Sequence, residues 1–219
     1  MNAHTQKITL QGQAGAIEAL VDAPLLPDGV APRGVAVIAH PHPLFGGTMN
    51  NKVVQTLARA FVLCGWRAVR FNFRGVGGTE GVHDEGRGEL QDLLAVIDQS
   101  MQSGPGVPLA LAGFSFGAFV TSQALAALGP ARAPHKLVLV GTAVSRFGVA
   151  DVPADLREHT LVLHGELDDT VALADVLQWA RPQALPVTVI PGATHFFHGQ
   201  LPLLRSLVVR HLSAPACTR

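Results

Sequence analysis

The feature that most constrains the fold of this chain is a short motif that joins a strand to a helix without a loop. Residues 107–112 form an apolar run of strand length, and a helical pattern covers residues 118–128. Between them, residues 113–117 read GFSFG, and the two glycines remove side chains that would crowd a sharp turn. Strand, G-x-S-x-G and helix together predict a nucleophile elbow, which holds a serine hydroxyl above a sheet. Ser115 is therefore a candidate nucleophile.

The rest of the chain alternates between runs of strand length and helical patterns. Two strand-like stretches within residues 7–21 predict an antiparallel hairpin at a sheet edge. Later apolar runs, too short for helices, predict buried parallel strands at residues 34–39, 67–71, 107–112, 136–140, 160–163 and 186–190. Helical patterns follow at residues 50–63, 88–101, 118–128, 172–180 and 201–212. The alternation predicts an α/β fold, a mostly parallel sheet with helices on both faces.

Length and composition favour a single domain over residues 1–219. Hydrophobic residues make up 48% and charged residues 15% of the chain, and a chain this apolar can offset the entropy lost on ordering without a partner. Basic and acidic residues number 16 each and the basic ones are scattered, so nucleic acid is a poor candidate partner. No segment approaches the roughly 20 apolar residues of a membrane span, and we expect no membrane partner.

Cysteine usage and the first residues favour a cytoplasmic location. Cys64 and Cys217 are the two cysteines, and their positions predict free thiols in a reducing compartment rather than a disulfide framework. Residues 1–7 contain no apolar core of signal-peptide length. We therefore expect a cytoplasmic protein, of an oligomeric state that the sequence does not indicate.

A nucleophilic Ser115 needs an adjacent base, usually a histidine that a carboxylate orients. In this type of fold the chain order is serine, acid, histidine, with each group on a loop after a strand. Asp168 follows the strand at residues 160–163 and is the candidate acid. Asp169 and Glu166 lie in the same loop and are alternatives, since acidic residues are also common as caps at helix N-termini.

The loop after the last predicted strand, residues 186–190, contains two histidines. His195 is the candidate general base because its place in the chain matches the expected order. His198 could substitute for it.

Acyl transfer also needs backbone N–H groups that face the developing oxyanion. One donor is the amide of Phe116, the residue after the nucleophile. The second should follow the first parallel strand, where Pro41 and Pro43 have no N–H to donate. Leu44 is the candidate because it precedes a permissive glycine turn, and the amide of His42 is the alternative.

These motifs resemble those of the α/β-hydrolases, and in particular the small, lid-less bacterial serine hydrolases similar to dienelactone hydrolase. The resemblance covers nearly the whole chain and rests on HPHPLFGG at residues 40–47, FNFRGVG at 71–77, the elbow, HGELD at 164–168 and GATH at 192–195. It implies a triad of Ser115, Asp168 and His195, and it supports Leu44 as an oxyanion donor. Dienelactone hydrolases carry cysteine at the elbow, so their substrate does not transfer to this chain.

The segment between the predicted strands at 136–140 and 160–163 is too short to hold a lid and still reach the next strand. We therefore expect an open site that hydrolyses short, soluble acyl esters through an acyl-enzyme. A thioesterase, a peptidase and a non-catalytic binding protein on the same fold are the alternatives. We expect no cofactor and no metal, since the glycine motif at residues 75–80 lacks its third glycine and His40 and His42 have no accompanying ligand cluster.

Overall fold

In the computed structural model, residues 5–102 and 106–214 are described and form one sheet with helices packed against it. The strands are β1 (Thr5–Gly12), β2 (Gly15–Asp22), β3 (Val35–Ala39), β4 (Arg67–Phe71), β5 (Leu109–Phe114), β6 (Lys136–Val140), β7 (Thr160–Gly165) and β8 (Val187–Ile190). The α-helices are α1 (Lys52–Leu63), α2 (Arg87–Ser100), α3 (Phe116–Leu128), α4 (Leu173–Ala180) and α5 (Leu201–Ser213).

The sheet has eight strands in the order β1-β2-β4-β3-β5-β6-β7-β8. The hairpin β1–β2 is antiparallel, and β2 pairs antiparallel with β4. The remaining pairs are all parallel. The predicted α/β architecture, with an antiparallel hairpin at one edge, is confirmed.

Both faces of the sheet are covered, which is why its central strands read as continuous apolar runs. All five residues of β3 are buried. Residues of β3 alternate between two cores, so that Val37 packs on one side with α2, α3 and α4, and Ile38 packs on the other with α1 and α5. The helices therefore lie on both faces as predicted.

The segment between β6 and β7 contains a short 3₁₀ helix, Ala154–His159, and no α-helix between residues 141 and 159. This confirms the prediction that no lid domain is inserted there. Among the described residues, no helix is both long enough and apolar enough to cross a membrane. Cys64 forms no disulfide, and Cys217 lies outside the described residues.

The structure differs from the sequence pattern mainly at element ends. Strands β5 and β7 continue to Phe114 and Gly165, so each runs directly into a site loop. Four 3₁₀ helices were not predicted, and three of them carry proline near their first residue. Proline fixes the backbone in a turn-compatible conformation, but a short 3₁₀ turn has no periodicity that a sequence could reveal.

Candidate active site

Ser115 occupies a strained turn between β5 and α3, as the elbow motif predicts. Its backbone has φ 56° and ψ −116°, a conformation that a residue with a side chain rarely adopts. The amide of Ser115 donates a 2.8 Å hydrogen bond to the Val140 carbonyl, which fixes the turn against β6. A Cβ atom at Gly113 or Gly117 would collide with neighbouring backbone. Only glycine therefore allows the strand and the helix to approach this closely.

Three predicted residues form one chain of hydrogen bonds at the carboxyl end of the sheet. Nε2 of His195 lies 3.0 Å from Oγ of Ser115, and Nδ1 of His195 lies 2.7 Å from Oδ2 of Asp168. Ser115 is 8% exposed, His195 2% and Asp168 9%, so water competes little for these hydrogen bonds. The structure thus brings Ser115, His195 and Asp168 together across 80 residues of sequence.

The Asp168 carboxylate is held by more than His195. Its Oδ1 accepts hydrogen bonds from the amides of Thr170 (3.0 Å) and Val171 (2.8 Å). Burial alone would raise the pKa of Asp168, but the hydrogen bonds from His195 and the Val171 amide outweigh burial and hold that pKa below its usual value. Asp168 is therefore ionised at neutral pH and can orient the imidazole.

The alternative residues lie elsewhere in the same loops. Asp169 is exposed, and its carboxylate accepts a hydrogen bond from the Thr170 hydroxyl. Glu166 is exposed and accepts a 2.8 Å hydrogen bond from the Gly192 amide, which ties the two site loops together. His198 is exposed. No hydrogen bond joins any of these three side chains to Ser115 among the described residues.

His164 is a site residue that sequence reasoning missed. It is fully buried, and its Nε2 lies 3.0 Å from the Val171 carbonyl and 3.5 Å from Oδ2 of Asp168. Burial lowers the pKa of His164, so the ring is neutral at neutral pH and donates to Val171. Through these two contacts the ring supports the loop that carries Asp168. The sequence motif HGELD gave His164 no role, because its contact with Val171 exists only once the loop is folded.

Two backbone amides near Ser115 have no acceptor among the described residues: those of Phe116 and His42. Phe116 begins α3, and the first amides of a helix have no partner within it. His42 precedes the 3₁₀ helix Pro43–Phe45, and no hydrogen bond from its N–H is recorded within residues 5–102 or 106–214. Both residues line the cavity that contains Ser115.

Leu44 does not fit the predicted role of oxyanion donor. Its amide donates a 3.2 Å hydrogen bond to Nδ1 of the His42 ring, and its side chain is 70% exposed. Leu44 is also absent from the lining of the cavity that contains Ser115, whereas His42 belongs to it. The sequence could not show that the His42 side chain accepts the hydrogen bond of the Leu44 amide.

His40 holds the loop that carries His42. Its ring is fully buried, with Nδ1 2.6 Å from the Pro41 carbonyl and Nε2 3.0 Å from the amide of Phe73. Burial lowers the pKa of His40 to about 4, so the ring is neutral at pH 7. The Nδ1–H then donates to Pro41, and Nε2 accepts from Phe73. Both ring nitrogens are thus used in joining the loops after β3 and β4.

The glycine motif after β4 belongs to an anchored loop. Arg74 pairs with the buried Asp92 of α2 through two of its nitrogens. Glu80 accepts a hydrogen bond from the Ala16 amide of the hairpin. Helix α2 begins only at Arg87, so the motif does not open a helix as a dinucleotide-binding turn would.

The cavity beside Ser115 has a volume of about 320 Å³ and is mostly apolar. Its aromatic walls are Phe45, Phe116, Phe147 and Phe196. Arg146 is the only Lys, Arg, Asp or Glu among its lining residues, and no carboxylate is paired with it within the described chain. The cavity can therefore hold a small acyl group next to the serine hydroxyl.

Comparison with known proteins agrees with this geometry. The family described as serine aminopeptidase, S33, matches residues 31–147, which is more than half of the chain. An α/β serine hydrolase without a lid from Xanthomonas campestris is 35% identical, with 98% of this chain and 99% of that one covered and a TM-score of 0.85. An α/β serine hydrolase homologue from Coxiella burnetii is 38% identical, with 95% and 97% covered and a TM-score of 0.82.

An uncharacterised protein of Rickettsia prowazekii is 33% identical over 181 residues, which are 74% of this chain and 71% of that protein. The matched family region ends with Phe147 and so includes the elbow and the HPHP loop. The sequence matches, the order of the strands in the sheet and the geometry of the elbow thus all indicate the same superfamily. The chain belongs to the α/β-hydrolase superfamily, as one of its lid-less serine hydrolases.

Proposed function

We propose that this protein is a carboxylesterase that cleaves short acyl esters through an acyl-enzyme on Ser115. The observation that carries the proposal is the chain of hydrogen bonds from Ser115 through His195 to Asp168. The distance from Ser115 Oγ to His195 Nε2 is 3.0 Å, and that from His195 Nδ1 to Asp168 Oδ2 is 2.7 Å. Both lie within the range that proton transfer between a nucleophile and its base requires. Ser115 and His195 both line a cavity of about 320 Å³.

In the proposed reaction, His195 Nε2 takes the proton of the Ser115 hydroxyl as Oγ attacks the ester carbonyl. The imidazolium then donates that proton to the leaving alcohol. The Asp168 carboxylate accepts a hydrogen bond from Nδ1–H of His195. This bond keeps the ring in the correct tautomer and stabilises the imidazolium. Water, deprotonated by His195, next attacks the acyl-enzyme, and the imidazolium returns that proton to Ser115 Oγ as the bond to the acyl group breaks and the acid is released. No step requires a cofactor.

The tetrahedral intermediates carry an oxyanion, which we assign to the free amides of Phe116 and His42. The Leu44 amide is not free for this role, because it donates its hydrogen bond to the His42 ring. Burial and the charge of His83 lower the pKa of His42, so its ring is neutral at neutral pH and can accept the Leu44 bond. The ring thus shapes the loop while its own main-chain N–H remains free for the oxyanion.

Two features support short, soluble esters as substrates. The apolar walls suit a small acyl group. The segment between β6 and β7 provides no lid to cover a long lipid chain. A small-molecule ester is therefore the partner that we propose.

Peptidase activity is the second candidate, because the matching family is described as serine aminopeptidase. An aminopeptidase must hold the ammonium group of its substrate, usually with a carboxylate. The cavity lining includes Arg146 but no Asp or Glu side chain, and a cation disfavours a substrate ammonium. The lining therefore favours esters over peptides with a free N-terminus.

The test is turnover of p-nitrophenyl esters of increasing acyl length, beside a matched thioester and an aminoacyl anilide. We expect the highest kcat/KM for short acyl esters. We expect Ser115→Ala to lower kcat by at least about 10³, since triad members act as a unit.

Activity of Ser115→Ala within tenfold of the parent would contradict the mechanism. Preference for the longest acyl chains, the thioester or the anilide would reject the proposed substrate class. An absence of turnover on every substrate would favour a binding protein on the hydrolase fold.

A further inference from the structure

A second cavity lies at the opposite end of the sheet from Ser115. It has a volume of about 440 Å³ and lies where β3, β5 and β6 begin. Its lining includes Arg33, Trp66 and Lys136, and none of its lining residues lines the cavity beside Ser115. The two cavities are therefore separate sites.

Lys136 is the unusual group in this cavity. It is only 7% exposed, yet no carboxylate lies within ion-pair distance of its ammonium group and no hydrogen bond from it is recorded within the described chain. The ammonium nitrogen is not among the buried side-chain atoms that have no partner, so the lysine stem is covered while its charged end reaches the cavity. Burial, and next the charge of Arg33, lower the pKa of Lys136. Within residues 5–102 and 106–214, no carboxylate neutralises this ammonium group.

Arg33 adds a second cation to the same cavity. Its Nη1 donates a 3.1 Å hydrogen bond to the Leu212 carbonyl, and its guanidinium lies 5.8 Å from the centre of the Trp66 ring. These contacts fix the guanidinium but do not neutralise it, and no carboxylate pairs with it among the described residues. Two positive groups therefore face one cavity.

The surrounding groups do not supply the missing negative charge. Asp155 is the only acidic residue in the lining, and it is exposed and forms no ion pair with Arg33 or Lys136 in the described structure. His211 packs nearby, and its Nε2–H donates to the His159 carbonyl at 3.1 Å. Burial and the charge of Lys136 lower the pKa of His211 to about 4, so this ring stays neutral. The described lining thus includes no acidic group that pairs with Arg33 or Lys136.

We propose that this cavity binds a phosphate dianion, free or carried by a small organic molecule, through Lys136 and Arg33. A dianion matches two cations better than a carboxylate does, and the planar guanidinium can donate two hydrogen bonds to phosphate oxygens. The volume of about 440 Å³ exceeds that of phosphate alone, so an attached group has room. The site shares no residue with the proposed catalytic site, and its test does not depend on esterase activity.

The experiment is thermal unfolding of the intact chain in inorganic phosphate, with chloride of equal ionic strength as the reference. We expect phosphate to raise Tm, by about 3–6 °C at ten times its Kd and further, with the logarithm of its concentration, above that. Glucose 6-phosphate and glucose are tested in the same way, to distinguish free phosphate from phosphate carried by a small organic molecule. A larger rise with glucose 6-phosphate than with phosphate indicates a phosphorylated molecule, and equal rises indicate free phosphate. A rise with glucose alone would overturn the proposal.

Lys136→Met keeps the length of the side chain and removes the charge. We expect this variant to show no response to phosphate, because the ammonium group that would bind the anion is gone. Lys52→Met is the matched control, since Lys52 is exposed, and it should respond like the parent. Should Lys136→Met fail to fold, Arg33→Gln provides the same test. A response to phosphate in these variants equal to that of the parent would overturn the proposal, as would the absence of any response in the parent.

Discussion

At the scale of single residues, the histidines of this protein have different tasks because their environments differ. His195 lies between a hydroxyl and a carboxylate, with hydrogen bonds of 3.0 and 2.7 Å on its two nitrogens. His40 uses both nitrogens on backbone groups, and burial lowers its pKa to about 4. Only the first arrangement places a ring nitrogen against a side-chain hydroxyl, the group whose proton a general base takes. The sequence alone shows identical side chains in both places.

The assignment of His42 as oxyanion donor can be tested at its own backbone. His42 has φ −53° and ψ 124°, which proline adopts without strain. His42→Pro removes the amide, and His42→Ala keeps it while removing the ring. We expect His42→Pro to lose about 10²–10³ in kcat, the typical effect of one oxyanion donor, and His42→Ala to lose much less. The measurement is steady-state hydrolysis of the best short ester, with melting curves to show that both variants fold.

Equal rates for the two His42 variants would contradict this assignment. The ring would then be the part of His42 that contributes, and the oxyanion would depend on the Phe116 amide and some other donor.

At the scale of elements, the elbow is the point where strand, helix and chemistry depend on each other. The amide of Ser115 is bound to Val140, and Gly117 packs against the end of β3. Helix α3 therefore begins at a fixed distance from the loop that carries His42. Phe116 and His42 both line the cavity that contains Ser115.

Gly117→Ala tests how tightly these elements are joined. An added Cβ would collide with the carbonyl oxygens of Ala39 and His40, which are backbone atoms and cannot move aside cheaply. We expect a loss of about 1–3 kcal/mol of stability and a clear loss of kcat, because α3 must shift away from β3. Gly148→Ala is the matched control, since an added Cβ there meets nothing within 4 Å. Urea unfolding and ester turnover measure the two effects. If the two variants matched in both stability and rate, close packing at the elbow would contribute neither to stability nor to turnover, which would contradict this prediction.

Much of this architecture could be predicted, because strand and helix leave long patterns in sequence. The apolar run of residues 136–140 coincides with β6, and Ser115 was found because its turn needs glycines at fixed positions. The Leu44 and His164 contacts could not be predicted, since each depends on which side chain reaches which backbone group after folding. The presence of Lys136 and Arg33 in one cavity likewise depends on segments that are far apart in sequence.

At the scale of the whole molecule, buried histidines make stability depend on pH. The pKa values of His40 and His211 are both lowered to about 4, mainly by burial. Above pH 6.5 both rings are neutral in the folded and unfolded chains. As pH falls from 6.5 to 4, the unfolded chain takes up protons that the folded chain refuses, so stability is lost in this window. Each histidine accounts for about 3 kcal/mol of that loss.

His211→Gln tests this linkage, because glutamine can still donate to the His159 carbonyl but does not titrate. We expect the free energy of unfolding, measured with urea between pH 7 and pH 4, to fall by about 3 kcal/mol less than in the parent. His198→Gln is the control, since His198 is exposed, and it should keep the parent's pH dependence. If His211→Gln loses as much stability on acidification as the parent does, the ring is not held neutral by the fold.

The central claim is that Ser115 is a nucleophile activated by His195, and covalent labelling measures this most directly. A fluorophosphonate probe is incubated with the parent, Ser115→Ala and His195→Ala, and the modified peptide is located by mass spectrometry. We expect rapid labelling of the parent at Ser115 alone, none at that position in Ser115→Ala, and labelling of His195→Ala slowed by orders of magnitude. A parent that is not labelled, or that is labelled at the same rate without His195, would contradict the claim.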